Sequence, residues 1–204
     1  MSDGALENID LLVADNIRIL TLPSRRFERS LAIVLVGPPF AGKTKLVEYL
    51  VRQLPLVHLS EENMASFLAP RATFFKRGAE EIFLLASKTI EALIKQNVCT
   101  IYDASVKKRS DRALLRKLVE GAGGRLLVVH IIIPEEDMYE TLEVANAQIV
   151  RGDRKGFIMD KDLMRYEINS IDVPGEGENP IVYKPKDFDA KQKIENKIRA
   201  ILGS

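Results

Sequence analysis

One short stretch of the sequence, GPPFAGKT at positions 37–44, combines residue types and a spacing that suit phosphate binding. It fits the pattern G-x-x-x-x-G-K-[ST] and stands between an apolar run and a predicted helix start. Glycines let backbone N–H groups turn inward around phosphate oxygens, and the helix N-terminus adds partial positive charge. Lys43 would reach the β- and γ-phosphates, and the Thr44 hydroxyl would ligate Mg²⁺. The pattern predicts a nucleoside-triphosphate site for ATP and Mg²⁺, and the alternative is a turn that matches by chance.

Nine consecutive residues make up the predicted nucleotide-binding loop, because backbone N–H groups and side chains both line such cradles. A cradle of this kind does not by itself distinguish a kinase from a GTPase or a mechanical ATPase. A GTPase should also carry an N-K-x-D-like segment that reads the base, and the sequence has none. The predicted loop residues are Gly37, Pro38, Pro39, Phe40, Ala41, Gly42, Lys43, Thr44 and Lys45.

Asp103 is the last residue of the third predicted strand, in the segment IYDAS. A motor ATPase usually has paired acids at the end of a strand, whereas alanine follows Asp103 here. Ligands gather at the carboxyl ends of parallel strands, so this carboxylate could hold Mg²⁺ through water or help to position an acceptor. The alternative is an acid that caps the following turn. We favour the metal role, with Thr44 and Asp103 as the predicted metal residues.

Glu61 follows the second predicted strand, in the segment HLSEEN. A carboxylate at this edge can accept the proton of an acceptor hydroxyl and orient its attack on the γ-phosphate. Two adjacent acids could equally form the first turn of a helix that Ser60 opens. Both interpretations stay open, and Glu61 is the candidate base.

The segment VRGDRKGF, which follows a predicted helix, supplies Arg151, Arg154 and Lys155 between two glycines. Arginines on such a segment can close over the phosphates and neutralise the charge that spreads during transfer. The alternative is a solvated basic loop. We predict a lid near 151–156, with Arg151 and Arg154 as catalytic residues beside Lys43, Glu61 and Asp103.

Other basic residues and the two histidines are given structural interpretations. The segment KKRSDRALLRK at 107–117 places several cations near a helix start, where an anion could compensate them, but a solvated face is favoured over a site for a phosphate-bearing acceptor. Arg71 could contact an acceptor. His58 and His130 lie within strands without Cys or His companions at metal-ligand spacing, so both are predicted to be structural, and Cys99 to be a small buried strand residue.

The elements that must position these residues alternate between strands and helices. Continuous apolar runs predict buried strands, and residues spaced by three and four predict amphipathic helices. Strands separated by helices imply a parallel α/β sheet that is covered on both faces. The predicted strands are 31–36, 56–59, 98–103, 125–133 and 181–184, and the predicted helices are 43–53, 78–96, 110–121 with Ser110 as N-cap, 135–150, 160–170 and 187–202.

The whole composition suits one soluble domain. The 204 residues include 30 Lys and Arg against 29 Asp and Glu, so no global charge recruits nucleic acid or a membrane. A single cysteine, no apolar run of about 20 residues and no signal-peptide pattern favour a cytoplasmic protein. We expect residues 1–30 to be an extension, with a helix near 5–15, packed on a domain formed by 31–204.

With these residues in place, the chain resembles the small P-loop kinases that include polynucleotide 5′-hydroxyl kinases, zeta toxins, gluconate kinases and adenylylsulfate kinases, an AAA-type ATP-binding, kinase-like domain. The resemblance is carried by the loop at 37–44, then YDAS, IIIPEED, RGDRKG and VPGEGENPIVY. It implies a three-layer P-loop NTPase fold with five parallel strands in the order 2-3-1-4-5 and an arginine-bearing lid. Polynucleotide kinases and zeta toxins usually carry an Asp base and a nearby Arg after the second strand. This chain has Glu61 at that place, and no Arg lies between Glu61 and Arg71.

Two functional hypotheses follow from this sequence. The first is an ATP-dependent kinase that transfers the γ-phosphoryl group to a hydroxyl of a small molecule or of a nucleic-acid end. The second is a nucleotide-dependent binding or regulatory module, in which ATP orders the lid and a partner recognises that state. The complete loop and lid favour the first hypothesis, and the missing Asp–Arg pair favours the second.

Overall fold

Five parallel strands form the centre of the molecule. The computed structural model describes residues 3–69, 78–153 and 158–203, with the side chains of the first helix from residue 9 onward. The strands are β1 (Leu31–Val36), β2 (Leu56–Ser60), β3 (Cys99–Ser105), β4 (Arg125–Ile131) and β5 (Ile181–Tyr183). They pair in one sheet in the order β2-β3-β1-β4-β5, so the predicted order 2-3-1-4-5 is confirmed.

Helices cover both faces of this sheet and complete a three-layer α/β fold of the P-loop NTPase type. Most predicted boundaries agree within three residues, but β3 continues two residues past Asp103. Ser105 pairs with Leu35 after an irregularity in which two residues of β3, Asp103 and Ala104, lie opposite the step from Val34 to Leu35 of β1. The described ranges contain eight α-helices: α1 (Asp3–Arg18), α2 (Lys43–Gln53), α3 (Glu61–Leu68), α4 (Ala79–Lys95), α5 (Arg109–Gly121), α6 (Glu135–Arg151), α7 (Lys161–Asn169) and α8 (Ala190–Leu202).

The central strand β1 contributes to a core on each side of the sheet. All six of its residues are buried, as the continuous apolar run predicts. Ala32, Val34 and Val36 pack with buried residues of α4 and α5 on one face. Leu31, Ile33 and Leu35 pack with those of α2 and α8 on the other. Because both neighbours of β1 are also strands, the loop that follows it begins deep inside the molecule.

Helix α1 packs against α4 and adds apolar side chains to the core that contains Ala32, Val34 and Val36. Ile9, Leu12 and Val13 are buried in the same cluster as Leu85 and Ile90. The helix is longer than the predicted span of 5–15. Within the described ranges, no helix combines the length and apolar composition that crossing a membrane would require.

Helix α5 begins differently from the prediction. Lys108 occupies the N-cap position and its side chain makes no capping hydrogen bond, whereas Ser110 lies inside the helix. The backbone N–H of Arg109 donates instead to Oδ2 of Asp172, at 2.9 Å. An acid from a distant segment therefore satisfies one of the free N–H groups of the first turn, which a local pattern cannot reveal.

A small third cluster connects the loop after β1 to two helices. Met138 and Leu142 of α6 pack with Met159 and Met164, and Phe40 packs against this cluster. We call these four buried residues and Phe40 the methionine cluster. It places Met159, in the connection that leads into α7, near the loop after β1.

Candidate functional site

The loop at 37–44 has a backbone that its two glycines make possible. A Cβ at position 37 would lie 3.0 Å from both the Cβ and the carbonyl oxygen of Ile131, so a side chain there would crowd β4. Gly42 has a φ of 84°, in the left-handed region that favours glycine, and it is the N-cap of α2. Phe40 also has a positive φ, of 59°. The first turn of α2 contains no acidic residues, and its N-cap makes no side-chain hydrogen bond.

Lys43 is held at this loop by carbonyl groups of the loop itself. Its Nζ donates to the carbonyl oxygens of Pro38 at 2.6 Å and Gly37 at 3.1 Å. Burial lowers the pKa of Lys43 to about 8, although the nearby Asp103 carboxylate raises it. The ammonium group is therefore still mostly protonated at neutral pH. A half-buried cation on the phosphate loop is suited to an anionic ligand.

Thr44 and Asp103, the two predicted metal residues, lie in contact. The Thr44 hydroxyl donates to Oδ1 of Asp103 at 3.2 Å, and it lies on the exposed side of the first turn of α2. Both groups offer oxygen ligands, which Mg²⁺ prefers. No cluster of three or more His, Cys, Asp and Glu side chains in the described ranges could hold a metal by itself. This donor set fits Mg²⁺, which usually takes one or two protein oxygens and completes its shell with phosphates and water.

His58 lies beside the same carboxylate, which sequence reasoning did not anticipate. Its Nε2 is 3.2 Å from Oδ2 of Asp103. In the sheet His58 pairs with Ile101, two residues before Asp103, so both side chains point to the same face of adjacent strands. A prediction of this contact would require the register between β2 and β3, which the chain sequence does not display.

Ser105 is a second residue that the sequence prediction missed. Its Oγ donates to the carbonyl oxygen of Gly37 at 2.9 Å and lies 3.4 Å from the Gly37 nitrogen. The serine therefore ties the end of β3 to the first residue of the loop. In the sequence, the available signal was a serine two residues after Asp103.

A cavity of about 350 Å³ lies at the end of β3, among residues of α3, α4, α5 and α7. Glu61, Tyr102 and Ser105 line it, together with Lys107 and Glu167, whose side chains form an ion pair. Ser105 thus borders the cavity and contacts the loop at the same time. Space for a second molecule lies next to the predicted phosphate site.

Glu61 has both of the features that the sequence left open. It lies in the first turn of α3, which Ser60 caps by accepting a 3.0 Å hydrogen bond from the Asn63 N–H. The same side chain is exposed and lines the cavity. The helix-start interpretation is confirmed, and the role of Glu61 as a base stays a prediction.

The predicted lid begins where α6 ends. Arg151 is the last residue of α6, is exposed, and lies with its Nε 3.3 Å from Oδ2 of Asp153. Gly152, with a φ of 81°, ends the helix. Arg154, with its neighbour Lys155, and Arg71 lie outside the described residues. The lid therefore stays a prediction.

Asn146 of α6 forms two hydrogen bonds with the backbone of Met159, which lies shortly before α7. Its Nδ2 donates to the Met159 carbonyl oxygen at 2.6 Å, and its Oδ1 accepts from the Met159 N–H at 3.1 Å. A side chain of α6 therefore holds the backbone that leads into α7. The chain on each side of residues 154–157 is thus attached to α6, by continuity at Arg151 and by Asn146 at Met159.

Arg112 corrects the interpretation of the basic segment 107–117. Its side chain is only 1% exposed, so the prediction of a solvated face is wrong for this residue. The guanidinium donates to both Glu178 carboxylate oxygens, at 2.5 and 2.9 Å. It also donates to the carbonyl oxygens of Val106, Lys107 and Asp172, at 2.8 to 3.0 Å. All five N–H donors are used, and the compensating anion is part of the chain itself.

The sequence model of one protein family, described as an AAA domain, matches residues 33–153, more than half of the chain. The chain belongs to the AAA domain family. The matched part begins within β1 and includes the loop at 37–44 and Asp103. No curated protein sequence is similar enough to this AAA domain to count as a match.

Solved structures support the same fold at low sequence identity. Kti12 of Chaetomium thermophilum, in complex with ADP-AlF3, has a TM-score of 0.61 at 15% identity, covering 85% of this chain and 100% of its own. The Mycobacterium tuberculosis APS kinase CysC, in complex with AMPPNP and APS, scores 0.55 at 16% identity, covering 86% and 99%. A gluconokinase from Sinorhizobium meliloti scores 0.54 at 14% identity, covering 87% and 99%. This AAA domain has a P-loop kinase-like fold.

Proposed function

We propose that this AAA domain is a kinase that transfers the γ-phosphoryl group of ATP to a hydroxyl of a small molecule or of a nucleic-acid end. The observation that carries the proposal is the cavity lined by Glu61 and Ser105, because Ser105 also contacts Gly37 of the phosphate loop. An acceptor in this cavity would lie beside the phosphates of a nucleotide in the loop. The P-loop kinase-like fold agrees with this arrangement.

The loop residues would bind and orient the nucleotide. Backbone N–H groups at the start of α2 would face the phosphates, and Lys43 would exchange its contacts with Pro38 and Gly37 for phosphate oxygens. Thr44 and Asp103 would hold Mg²⁺, which neutralises charge on the phosphates when it is bound. Positioning and charge stabilisation are the main requirements of phosphoryl transfer.

Glu61 would serve as the base for the acceptor. As the acceptor oxygen forms its bond to the γ-phosphorus, the bond from that phosphorus to the β–γ bridging oxygen breaks and ADP leaves. The hydroxyl proton passes to the Glu61 carboxylate. Arg151 and Arg154 would neutralise the charge that spreads over the transferred group.

The proposal is tested by ADP release from Mg–ATP, alone and with an acceptor panel. The panel contains 5′-hydroxyl DNA and RNA oligonucleotides, nucleosides, sugar acids and adenylylsulfate. We expect one class to stimulate ADP release, Lys43→Ala to abolish it, and Lys117→Ala, at an exposed lysine of α5, to leave it unchanged. ATP affinity and turnover that are unchanged in Lys43→Ala would refute the site.

A nucleotide-dependent binding module is the second candidate. The observation that favours it is the capped first turn of α3, because Ser60 and the helix N-terminus account for Glu61 without any catalytic role. Tight binding of Mg–ATP with no stimulation by any acceptor class would favour this module over the kinase.

A further inference from the structure

The Asp103 carboxylate is nearly buried and has one hydrogen-bond partner for each oxygen. Its side chain is 8% exposed, and in the described ranges Thr44 contacts Oδ1 while His58 contacts Oδ2. A buried carboxylate needs partners for its oxygens, because removal from water is costly. The two partners come from different elements, α2 and β2, on either side of the acid.

The chemistry of the contact fixes the form of the His58 ring. An ionised carboxylate only accepts hydrogen bonds, so the Nε2 atom of His58 must carry the hydrogen and donate it. Thr44 alone would contact only one of the two carboxylate oxygens. The donor on β2 engages Oδ2 and keeps Oδ1 directed at Thr44.

A purely structural role explains the position of His58 less well. The ring is 33% exposed on β2, an edge strand of the sheet, where burial alone does not require a histidine. His130 offers a comparison, since it also lies on a strand and is partly buried, but it is on β4, away from Asp103. What distinguishes His58 is its contact with the acid.

We infer that His58 is a positioning residue that holds the Asp103 carboxylate toward Thr44 and thereby sets the affinity of the nucleotide-bound site for Mg²⁺. The inference rests on the nucleotide and Mg²⁺ site of the proposed function and does not require phosphoryl transfer. Mg²⁺ tolerates little deviation from octahedral geometry, so the direction of a carboxylate oxygen matters to its binding. Loss of a residue that orients a metal ligand typically costs roughly 10- to 100-fold in metal affinity.

Calorimetric titration with ADP, which avoids turnover, measures this effect. Dissociation constants are determined with excess Mg²⁺ and with EDTA for the wild type, His58→Gln, His58→Asn, His58→Leu and His130→Gln. The glutamine amide nitrogen reaches about as far as Nε2 of histidine, whereas asparagine is too short and leucine has no donor. Thermal unfolding of each variant without nucleotide checks that it folds.

We expect His58→Leu and His58→Asn to weaken ADP binding in Mg²⁺ by about tenfold or more, and to change binding in EDTA by less than about twofold. His58→Gln retains most of the Mg²⁺-dependent affinity, and His130→Gln matches the wild type. Equal Mg²⁺-dependent affinity in His58→Leu and the wild type would overturn the inference. Losses that are equal in Mg²⁺ and EDTA, or equal for Gln and Leu, would also overturn it, because they indicate a structural role.

The outcome is separable from that of the proposed function. A wild type that gains ADP affinity from Mg²⁺ but transfers no phosphoryl group contradicts the kinase and leaves the role of His58 open to confirmation by the same titrations. A wild type whose ADP affinity does not depend on Mg²⁺ overturns the inference about His58, whatever the acceptor panel gives.

Discussion

Gly37 is the residue at which the backbone of the phosphate loop comes closest to the sheet. A methyl group there would meet Ile131 at 3.0 Å, including a backbone oxygen that cannot move by itself. The close approach links the start of the loop to β4. Packing thus favours glycine at position 37, whereas Gly42 is favoured by its left-handed conformation.

We therefore predict that Gly37→Ala lowers the free energy of unfolding by about 1–3 kcal/mol, as overpacking of a filled interior does. Gly177→Ala is the matched control, because a Cβ there would meet nothing within 4 Å, and its effect should stay within about 0.5 kcal/mol. Urea denaturation of both variants measures the difference. Equal stability of the two variants would contradict the packing explanation.

At the scale of elements, Arg112 joins three parts of the chain. It bonds Glu178 in the connection before β5 and three carbonyl oxygens, two of them in the connection between β3 and α5. One of these carbonyl groups belongs to Lys107, whose side chain lines the cavity beside the phosphate loop. Removal of one partner of a buried ion pair leaves the other charge uncompensated.

We predict that Arg112→Leu destabilises the fold by about 3–5 kcal/mol. Arg109→Leu should cost less than about 1 kcal/mol, because Arg109 is 67% exposed and lies 4.0 Å from the same Glu178 carboxylate. Chemical denaturation of the two variants provides the measurement. A small effect at Arg112 would show that Glu178 is satisfied in another way.

The same pair predicts a pH dependence of stability. The hydrogen bond from Arg112 lowers the pKa of Glu178 in the folded chain below its usual value of 4.5. A lowered folded pKa means that the stabilisation is complete above about pH 4.5 and is lost as the pH falls through the folded pKa. Glu178→Gln should therefore flatten the loss of stability on acidification, measured as the melting temperature from pH 7 to pH 3. An unchanged acid profile in the variant would contradict this assignment.

The hydrogen bonds from Asn146 stabilise the position of Met159 against α6. Without its amide, the buried Met159 would lose partners for both its N–H and its carbonyl group, at a cost of about 1–3 kcal/mol. We predict that Asn146→Ala accelerates hydrogen exchange at the Met159 amide by about tenfold or more. Thr141→Val is the control and should leave this amide unchanged, because the Thr141 hydroxyl donates to the Asp137 carbonyl oxygen of its own helix.

At the scale of the whole molecule, nucleotide binding should stabilise the folded chain. A ligand at about 100 times its dissociation constant contributes about 2.7 kcal/mol, which raises the melting temperature of a chain this long by roughly 5–10 °C. We predict such a shift with Mg–ADP, measured by calorimetry, and its loss in Lys43→Ala. An equal shift in wild type and variant would place the nucleotide elsewhere.

The sequence predicted those features that depend on local pattern. The strands around the loop at 37–44 follow from continuous apolar runs, and parallel strands end at a common edge. Thr44 and Asp103 lie in contact at this edge, and their roles in nucleotide and metal binding stay predictions. The contacts that it missed join distant parts of the chain. His58 reaches Asp103 only through the register of β2 and β3, and Arg112 finds Glu178 at a separation of 66 residues.

The position of β1 at the centre of the sheet also affects how the chain acquires its shape during synthesis. β1 is made before both of its neighbours, β3 and β4, so it lacks both when it leaves the ribosome. Helix α4, which packs against the apolar face of α1, and Ile131, which packs against Gly37, are likewise synthesised later than their partners. Because domains generally fold as units, we expect a nascent chain that does not yet include Ile131 to expose these apolar surfaces and to lack a formed phosphate loop. The central position of β1 therefore delays formation of the loop, and the chain is most exposed to aggregation until Ile131 has been synthesised.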